Sequence, residues 1–590
     1  MLRIFSFIPN FRRLRLPVIL AAITALTIAA CNPANFRTEA AETKPLILSQ
    51  LSDPKTFNYA LSQESPNIFG YTFVGLTTQN PITGDIEPEL AESWEVSDDG
   101  LRFVFTLRDN LKWSDGKSLT ADDVVFTYND IYFNKEIPSN TKDGFKIGES
   151  GELPKVRKLD ERRVEFTLPE PFRPFLQNMG TPILPKHPLQ KSVKTKDSEG
   201  KPLFLQKWGV DTPVDEIVTN GPYKLGRYNT TQRIVFEKNP YFWKKGKPFI
   251  DKINWETVES QDTALLQFRS GSLDFISVTP DYFSLLKQEE ERGNFKIENG
   301  GPATGTSFVF FNLNKGSRNG KPLVNPVKSK WFNNKKFRQA VAYAIDRQTM
   351  INNTFRGLGK KQNSPISVQS PYYLSPEKGL KVYDYNPDKA RELLKSVGFK
   401  YNSQGQLLDS EGNRVRFTLL TNSGNKIREA MGAQVKSDLS KIGIVVDFTP
   451  LAWGTFLDKL SNSIDFEMAL LGLTGGLEPN QGANVWKPDG GLHAFNQKPQ
   501  AGQKPIEGWE VSAWEKEIAR LYVKAAQELD EEKVKKIYAQ TQQITQENLP
   551  FIYLVNPLSL AAIRNDIQGT KFNAIGGAFW NIEEVKISEQ

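Results

Sequence analysis

Along the chain, apolar positions recur at two spacings. Leu101, Phe103, Phe105 and Leu107 alternate with Arg102, Thr106 and Arg108, which predicts a half-buried strand. A turn at Ser114-Asp115-Gly116 follows, and Thr120-Ala121-Asp122-Asp123 then opens a helix, with Thr120 as N-cap and two carboxylates at the positive dipole end. Val124, Tyr128 and Ile131 fall on one face of that helix. Further on, Asn333 or Asn334 opens a helix striped by Phe337, Val341, Ala344 and Ile345. Asn386-Pro387 starts another, which carries Leu393, Leu394 and Val397 to a stop at Gly398. Trp514, Ile518, Leu521, Tyr522, Ala525 and Leu529 predict one long apolar helix face. Strands mixed with core helices of this size predict an α/β protein. Turn-rich stretches near 135–155, 190–216, 312–330 and 400–414 read as surface loops, and none has the composition of a long linker.

The first thirty residues follow neither spacing. Arg3, Arg12, Arg13 and Arg15 precede an apolar run from Leu16 to Ala30, which is shorter than the ~20 helical residues needed to span a bilayer and reads as a secretory signal, residues 1–30. Ile28-Ala29-Ala30-Cys31 resembles the bacterial lipobox, in which the cysteine is lipidated and becomes the new N-terminus. The alternative is an ordinary signal peptide and an incidental cysteine. If Cys31 is lipidated, its acyl chains anchor the protein to a membrane, and residues 31–43, poor in large apolar side chains, form a tether.

Charge and composition then narrow the function. The formal net charge is +7, but from Cys31 on 71 basic residues face 68 acidic ones, which gives no support to a nucleic-acid-binding surface. With 590 residues, a prior of about four domain-sized units applies at ~150 residues each. Cys31 is the single cysteine, so an intrachain disulfide and a cysteine metal cluster are both excluded. Gly116-Lys117-Ser118 resembles the end of a phosphate loop, yet Leu111 stands where that loop needs glycine. G-x-S-x-G and H-E-x-x-H are absent, and the two histidines, His187 and His493, lie far apart. His187 reads as a loop or packing residue, and Glu289-Glu290-Glu291 as a solvated helix end. No catalytic residue, metal ligand or cofactor site is assigned. The profile is that of a binder and not an enzyme.

Several separated segments carry a more specific resemblance. Ala91-Glu92-Ser93-Trp94-Glu95-Val96-Ser97-Asp98-Asp99-Gly100, then Lys112-Trp113-Ser114-Asp115-Gly116 and Thr120-Ala121-Asp122-Asp123-Val124, are similar to the signature of family 5 extracellular solute-binding proteins of ABC importers. Thr219-Asn220-Gly221-Pro222-Tyr223, Asn239-Pro240-Tyr241-Phe242-Trp243 and Phe337-Arg338-Gln339-Ala340 continue it in order, followed by Tyr385-Asn386-Pro387 and Asn548-Leu549-Pro550-Phe551-Ile552.

The resemblance implies a two-lobed periplasmic-binding-protein fold of the large, cluster C type, with an additional domain and a hinge-closing cleft. By analogy lobe I comprises 44–74, 217–302 and 554–590, the additional domain 75–216 and lobe II 303–553, with the hinge near 302 and 553. It also implies an extracytoplasmic, monomeric receptor, in the periplasm or at the cell surface, that hands a small, peptide-like solute to ABC permease subunits. An oligosaccharide, opine or metal chelate as ligand, or a signalling role, is the alternative. Candidate ligand-binding residues are Ser62, Gln63 and Glu64 after the first strand, Ser277 and Thr279 on the loop after Ile276, Trp453, and Thr474, Gly475 and Gly476. Trp453 either lines the pocket or sits in the core. The glycines would let a ligand approach the backbone. In peptide-binding members an aspartate pairs with the ligand ammonium; here that position falls on Gly475 or Gly476, so Glu478 or a residue elsewhere would have to serve.

Overall fold

The computed structural model describes residues 44–62, 68–148, 150–499 and 503–588. Residues 1–43, where the sequence predicts an export signal, a lipidated Cys31 and a tether, lie outside the described residues, as do Gln63 and Glu64. Among the described residues, no helix is long and apolar enough to cross a membrane.

The sequence begins its folded part with strand Leu46–Gln50, whose alternating burial places Leu46 and Leu48 inside. It pairs in parallel with Lys252–Thr257, which continues antiparallel through Arg233–Lys238 to Tyr223–Asn229. Between the first strand and these three, the chain builds a separate antiparallel sheet in the order Ala91–Val96, Arg102–Leu107, Arg163–Thr167, Lys155–Lys158. Its predicted strand is buried on both faces at its centre, with Phe103, Val104 and Phe105 all inside, because neighbouring elements cover both sides.

Thr120 caps the following helix through a reciprocal bond pair with Asp123, as expected, but the helix then widens to a π-helix over Phe126–Tyr132. His187 is not in a loop: it stands in helix Lys186–Lys194, with Nε2 2.8 Å from Asp115 Oδ2. Glu289 and Glu290 are likewise engaged, the first in ion pairs with Arg269 and Arg292, the second accepting from the Ile297 amide.

A five-stranded sheet carries the later part of the chain, in the order Val445–Leu451, Arg416–Asn422, Met468–Leu473, Thr306–Phe311, Ile552–Tyr553. Helix Lys335–Ala344 packs on it, capped by Asn334, with Phe337, Val341 and Ala344 buried. Asn386 caps Pro387–Ser396 as the sequence predicts, and Gly398 follows with φ +92°. The long apolar helix spans Ala513–Gln527 and buries Ile518, Leu521, Tyr522 and Ala525; Leu529 falls past its end and is 63% exposed.

The buried apolar side chains form separate cores. One is drawn wholly from residues 308–555. Another joins residues 46–253 to a few positions from Ala526 onward, and a smaller one lies among 258–297 with Leu560 and Ala562. Strand Val555–Arg564 connects these regions. Its N-terminal part pairs with Gly359–Lys361, and its C-terminal part lies between Phe275–Ser277 and Phe295–Pro302.

Two chain segments run side by side where the cores meet. The Ala303 amide donates to Pro557 O at 2.8 Å and the Leu554 amide to Ser307 O at 2.9 Å. The buried Asn556 side chain donates to both Ala303 O and Gly305 O, at 3.3 and 2.6 Å.

Candidate functional site

Strand Met468–Leu473 ends in the turn Thr474-Gly475-Gly476, and a 3-10 turn over Pro479–Gly482 leads into the short helix Ala483–Trp486. Four cavities adjoin this stretch. The first, about 330 Å³, lies behind the turn and is lined by Thr304, Thr306, Phe308, Ile366, Leu473 to Gly476, Glu478, Trp486, Tyr522, Phe551 and Tyr553 among others. The second, about 730 Å³, is walled on one side by 81–86, Arg173 and Gln177 and on the other by Gln369 to Tyr372, Leu477, Glu478 and Glu531. A third, about 360 Å³, joins Phe73 to Gly75, Phe242 and Trp580 to Gln481. The fourth is smaller and again includes Gln481. The stretch therefore faces a cleft whose walls come from distant parts of the chain.

One ion pair spans the cleft. Glu478 is buried, and its Oε2 accepts from Arg173 Nη1 at 3.1 Å while its Oε1 accepts from the Tyr538 hydroxyl at 3.1 Å. Arg173 also reaches Glu531 at 3.2 Å, and its guanidinium lies over the Tyr372 ring at 5.1 Å. Burial pushes the Glu478 carboxyl up, and the Arg173 charge and hydrogen bonds from Asn480 N and Tyr538 offset this only in part. The Arg173 amide donates to Ala526 O at 2.7 Å, and Gln527 Nε2 donates to Glu170 at 2.5 Å, so the two walls also touch beside the ion pair.

The two glycines have a packing reason. A Cβ on Gly475 would stand 2.2 Å from the Thr304 carbonyl oxygen, and Thr304 Oγ1 donates to Gly475 O at 2.9 Å. On Gly476 a Cβ would meet the Gln481 side chain at 1.9 Å. The space in front of both is already occupied by the protein, which accounts for glycine without any ligand.

The sequence-derived residues do not all gather here. Thr474, Gly475 and Gly476 line the 330 Å³ cavity. Ser277 belongs to strand Phe275–Ser277 and not to a loop, paired opposite Ala561, and Thr279 is the N-cap of helix Pro280–Glu289. Ser62 ends the 3-10 turn Tyr59–Leu61. Trp453 opens helix Trp453–Leu457, is 42% exposed, and rests its ring near Phe456 at 6.1 Å. It is neither core nor a wall of these cavities. Arg173, Trp486 and Tyr538 were not singled out by sequence; Arg173 has no local pattern that marks it, whereas Trp486 lies only eight residues past Glu478.

Beneath the site, His493 Nδ1 lies 2.9 Å from Val485 O and its Nε2 3.0 Å from Glu515 Oε2, all buried. Glu515 also accepts from Asn496 Nδ2 at 2.8 Å and from the Ser512 amide at 2.9 Å. Burial pushes this carboxyl up, but the bonds from His493, Asn496 and Ser512 more than offset it and hold it below the usual carboxylate range. Among the described residues, no group of three or more His, Cys, Asp or Glu side chains is placed to hold a metal ion.

Comparison with known proteins places this architecture. A family model described as bacterial extracellular solute-binding proteins, family 5 Middle, matches residues 85–501. A probable ABC transporter-binding protein of Deinococcus radiodurans is 33% identical over 546 residues, covering 88% of each chain. The structure of the oligopeptide-binding protein AppA of Bacillus subtilis in complex with a nonapeptide superposes with a TM-score of 0.73 at 25% identity, covering 92% of this chain and 99% of that one. The periplasmic binding protein MelB of Agrobacterium fabrum, in complex with stachyose, gives a TM-score of 0.75 at 21% identity, covering 92% of this chain and 84% of the other, a likeness of fold.

Proposed function

Because the chain belongs to the bacterial extracellular solute-binding proteins of family 5, we propose that it captures a peptide or peptide-like solute in the cleft around 474–486 and delivers it to an ABC-type importer. The observation that carries this reading is the 730 Å³ cavity, which brings together residues 79–86, 173–177 and 573–575 with residues 369–372, 477–478 and Glu531. A ligand there touches both walls only when they are together, so binding shifts the population toward the closed form that a permease would read. The nonapeptide held by the similar AppA structure favours a peptide over a sugar or chelate.

In this reading lobe I comprises 44–74, 217–302 and 554–590, the additional domain 75–216 and lobe II 303–553, with Thr474, Gly475 and Gly476 at the ligand. Ser62, Gln63, Glu64, Ser277 and Thr279 are the positions to examine on the lobe I side. Residues 1–30 are the export signal, and Cys31 carries the lipid that holds a monomeric receptor at the membrane. Ligand co-purified with the protein, identified by mass spectrometry, tests the function: a peptide supports it, and an oligosaccharide or metal chelate overturns it. Mass spectrometry of protein from its native host tests the anchor, which requires an N-terminal, lipid-bearing Cys31.

A further inference from the structure

The 330 Å³ cavity behind the glycine turn is within the range of small-ligand sites, and part of its lining is aromatic. Trp486 stacks on Tyr522 with centroids 6.3 Å apart and planes 21° off parallel, and meets Phe551 edge-on at 5.8 Å. Phe551 packs against Phe308 at 4.3 Å. The hydroxyl and amide groups at its edge, on Thr304, Thr474 and Asn484, are neutral. Burial pushes the Tyr522 and Tyr553 phenols up, so both stay neutral as well. Glu478 is the one carboxylate on this wall, and Arg173 at 3.1 Å compensates it.

We infer that this cavity takes an uncharged aliphatic or aromatic side chain of the bound peptide and rejects lysine and glutamate, with the Arg173–Glu478 pair as the element that enforces neutrality. The inference rests on the peptide reading above. An ammonium entering the cavity would find no uncommitted carboxylate on its walls, and recruiting Glu478 would strip the charge partner from Arg173. An entering carboxylate would find no cation among the lining residues, and Arg173, which stands behind Glu478 on the wall of the 730 Å³ cavity, already holds both Glu478 and Glu531. Buried charges without a partner are strongly disfavoured, whereas an apolar side chain gains from leaving water.

The test is isothermal titration of the full folded protein with alanine tetrapeptides carrying Leu, Phe, Lys or Glu at each position in turn. At one position, Leu or Phe is expected to bind at least tenfold more tightly than Lys or Glu. Arg173→Gln uncovers Glu478 and should move the preference toward Lys; Glu478→Gln uncovers Arg173 and should move it toward Glu. Glu478→Gln is nearly isosteric and keeps the test alive if the arginine variant fails to fold. Lys and Glu peptides binding within threefold of Leu at every position, or variants that leave the ranking unchanged, overturn this inference alone. A folded protein that binds no peptide overturns the peptide reading, and this inference with it.

Discussion

Arg173 and Glu478, 305 positions apart, form a 3.1 Å ion pair across the cleft, with the carboxylate buried and the guanidinium resting on Tyr372. Truncating one partner of a buried pair costs more than removing both charges, because the other charge is stranded. Arg173→Ala is therefore expected to lower stability by roughly 3–5 kcal/mol, and Arg173→Ala with Glu478→Gln to recover most of that loss. Urea denaturation of the single and double variants measures the difference.

Two buried glutamates respond to pH in opposite directions. Glu478 has a raised folded value, so its contribution is complete below the ordinary glutamate pKa of about 4.3 and is lost as pH rises through the folded value. Glu515 has a depressed folded value, so its contribution is present above about pH 4.3 and is lost as pH falls through the folded value. Melting temperatures followed from pH 3 to 7 should show Glu478→Gln losing the decline on the neutral side, and Glu515→Gln a shallower acid limb.

The glycine turn separates two kinds of crowding. At Gly475 the obstacle is the Thr304 backbone, which cannot move freely, and at Gly476 it is the tip of the flexible Gln481 side chain. Gly475→Ala should cost about 1–3 kcal/mol, in the range of overpacked sites, and weaken ligand binding. Gly476→Ala should be tolerated to within about 1 kcal/mol. Thermal melts together with titration of any ligand that binds the wild type decide the ordering.

Two tryptophans give a matched control. Trp453 is 42% exposed and Trp486 is 4% exposed inside an aromatic cluster. Trp453→Ala should change stability by less than about 1 kcal/mol and leave affinity within twofold. Trp486→Ala should cost about 3–5 kcal/mol. Denaturation and titration read both; loss of affinity in the Trp453 variant would return that residue to the binding surface.

Where segments 303–307 and 554–557 run side by side, Asn556 ties two backbone carbonyls of the neighbouring segment. Asn556→Ala leaves Ala303 O and Gly305 O without that donor, which should loosen the junction and raise the open population. Small-angle scattering should report a larger radius of gyration for the ligand-free variant, and an unchanged radius would assign Asn556 a purely local role.

Much of this fold is legible in the sequence because its signals are local. Thr120, Asn334 and Asn386 announce helix starts through capping chemistry contained within three residues, and Gly398 announces a stop through its backbone freedom. Ser277 was harder: three residues of strand carry too little alternation to be told from loop, and its partner Ala561 is far along the chain. The π-helix after Thr120 has no counterpart in a 3.6-residue spacing. The sequence marks 474–476 as a site candidate but not the cause of its glycines, since the Thr304 carbonyl and Gln481 that crowd them are placed by folding. Arg173 carries no local signal for the same reason. Its role exists only once the cleft walls meet.

Strand Val555–Arg564 fills the middle of a sheet whose other members were made much earlier. Arg564 Nε donates to Leu273 O, 291 positions upstream, and at ~5–20 residues per second a ribosome needs on the order of 15–60 s to cover that interval. During that time Phe275–Ser277 and Phe295–Pro302 lack the central strand with which both pair, so this sheet cannot form until that strand has been made. A protein whose family works outside the cytoplasm gains from that ordering, because a strand made this late keeps the sheet unfinished, and the chain unfolded there, for translocation.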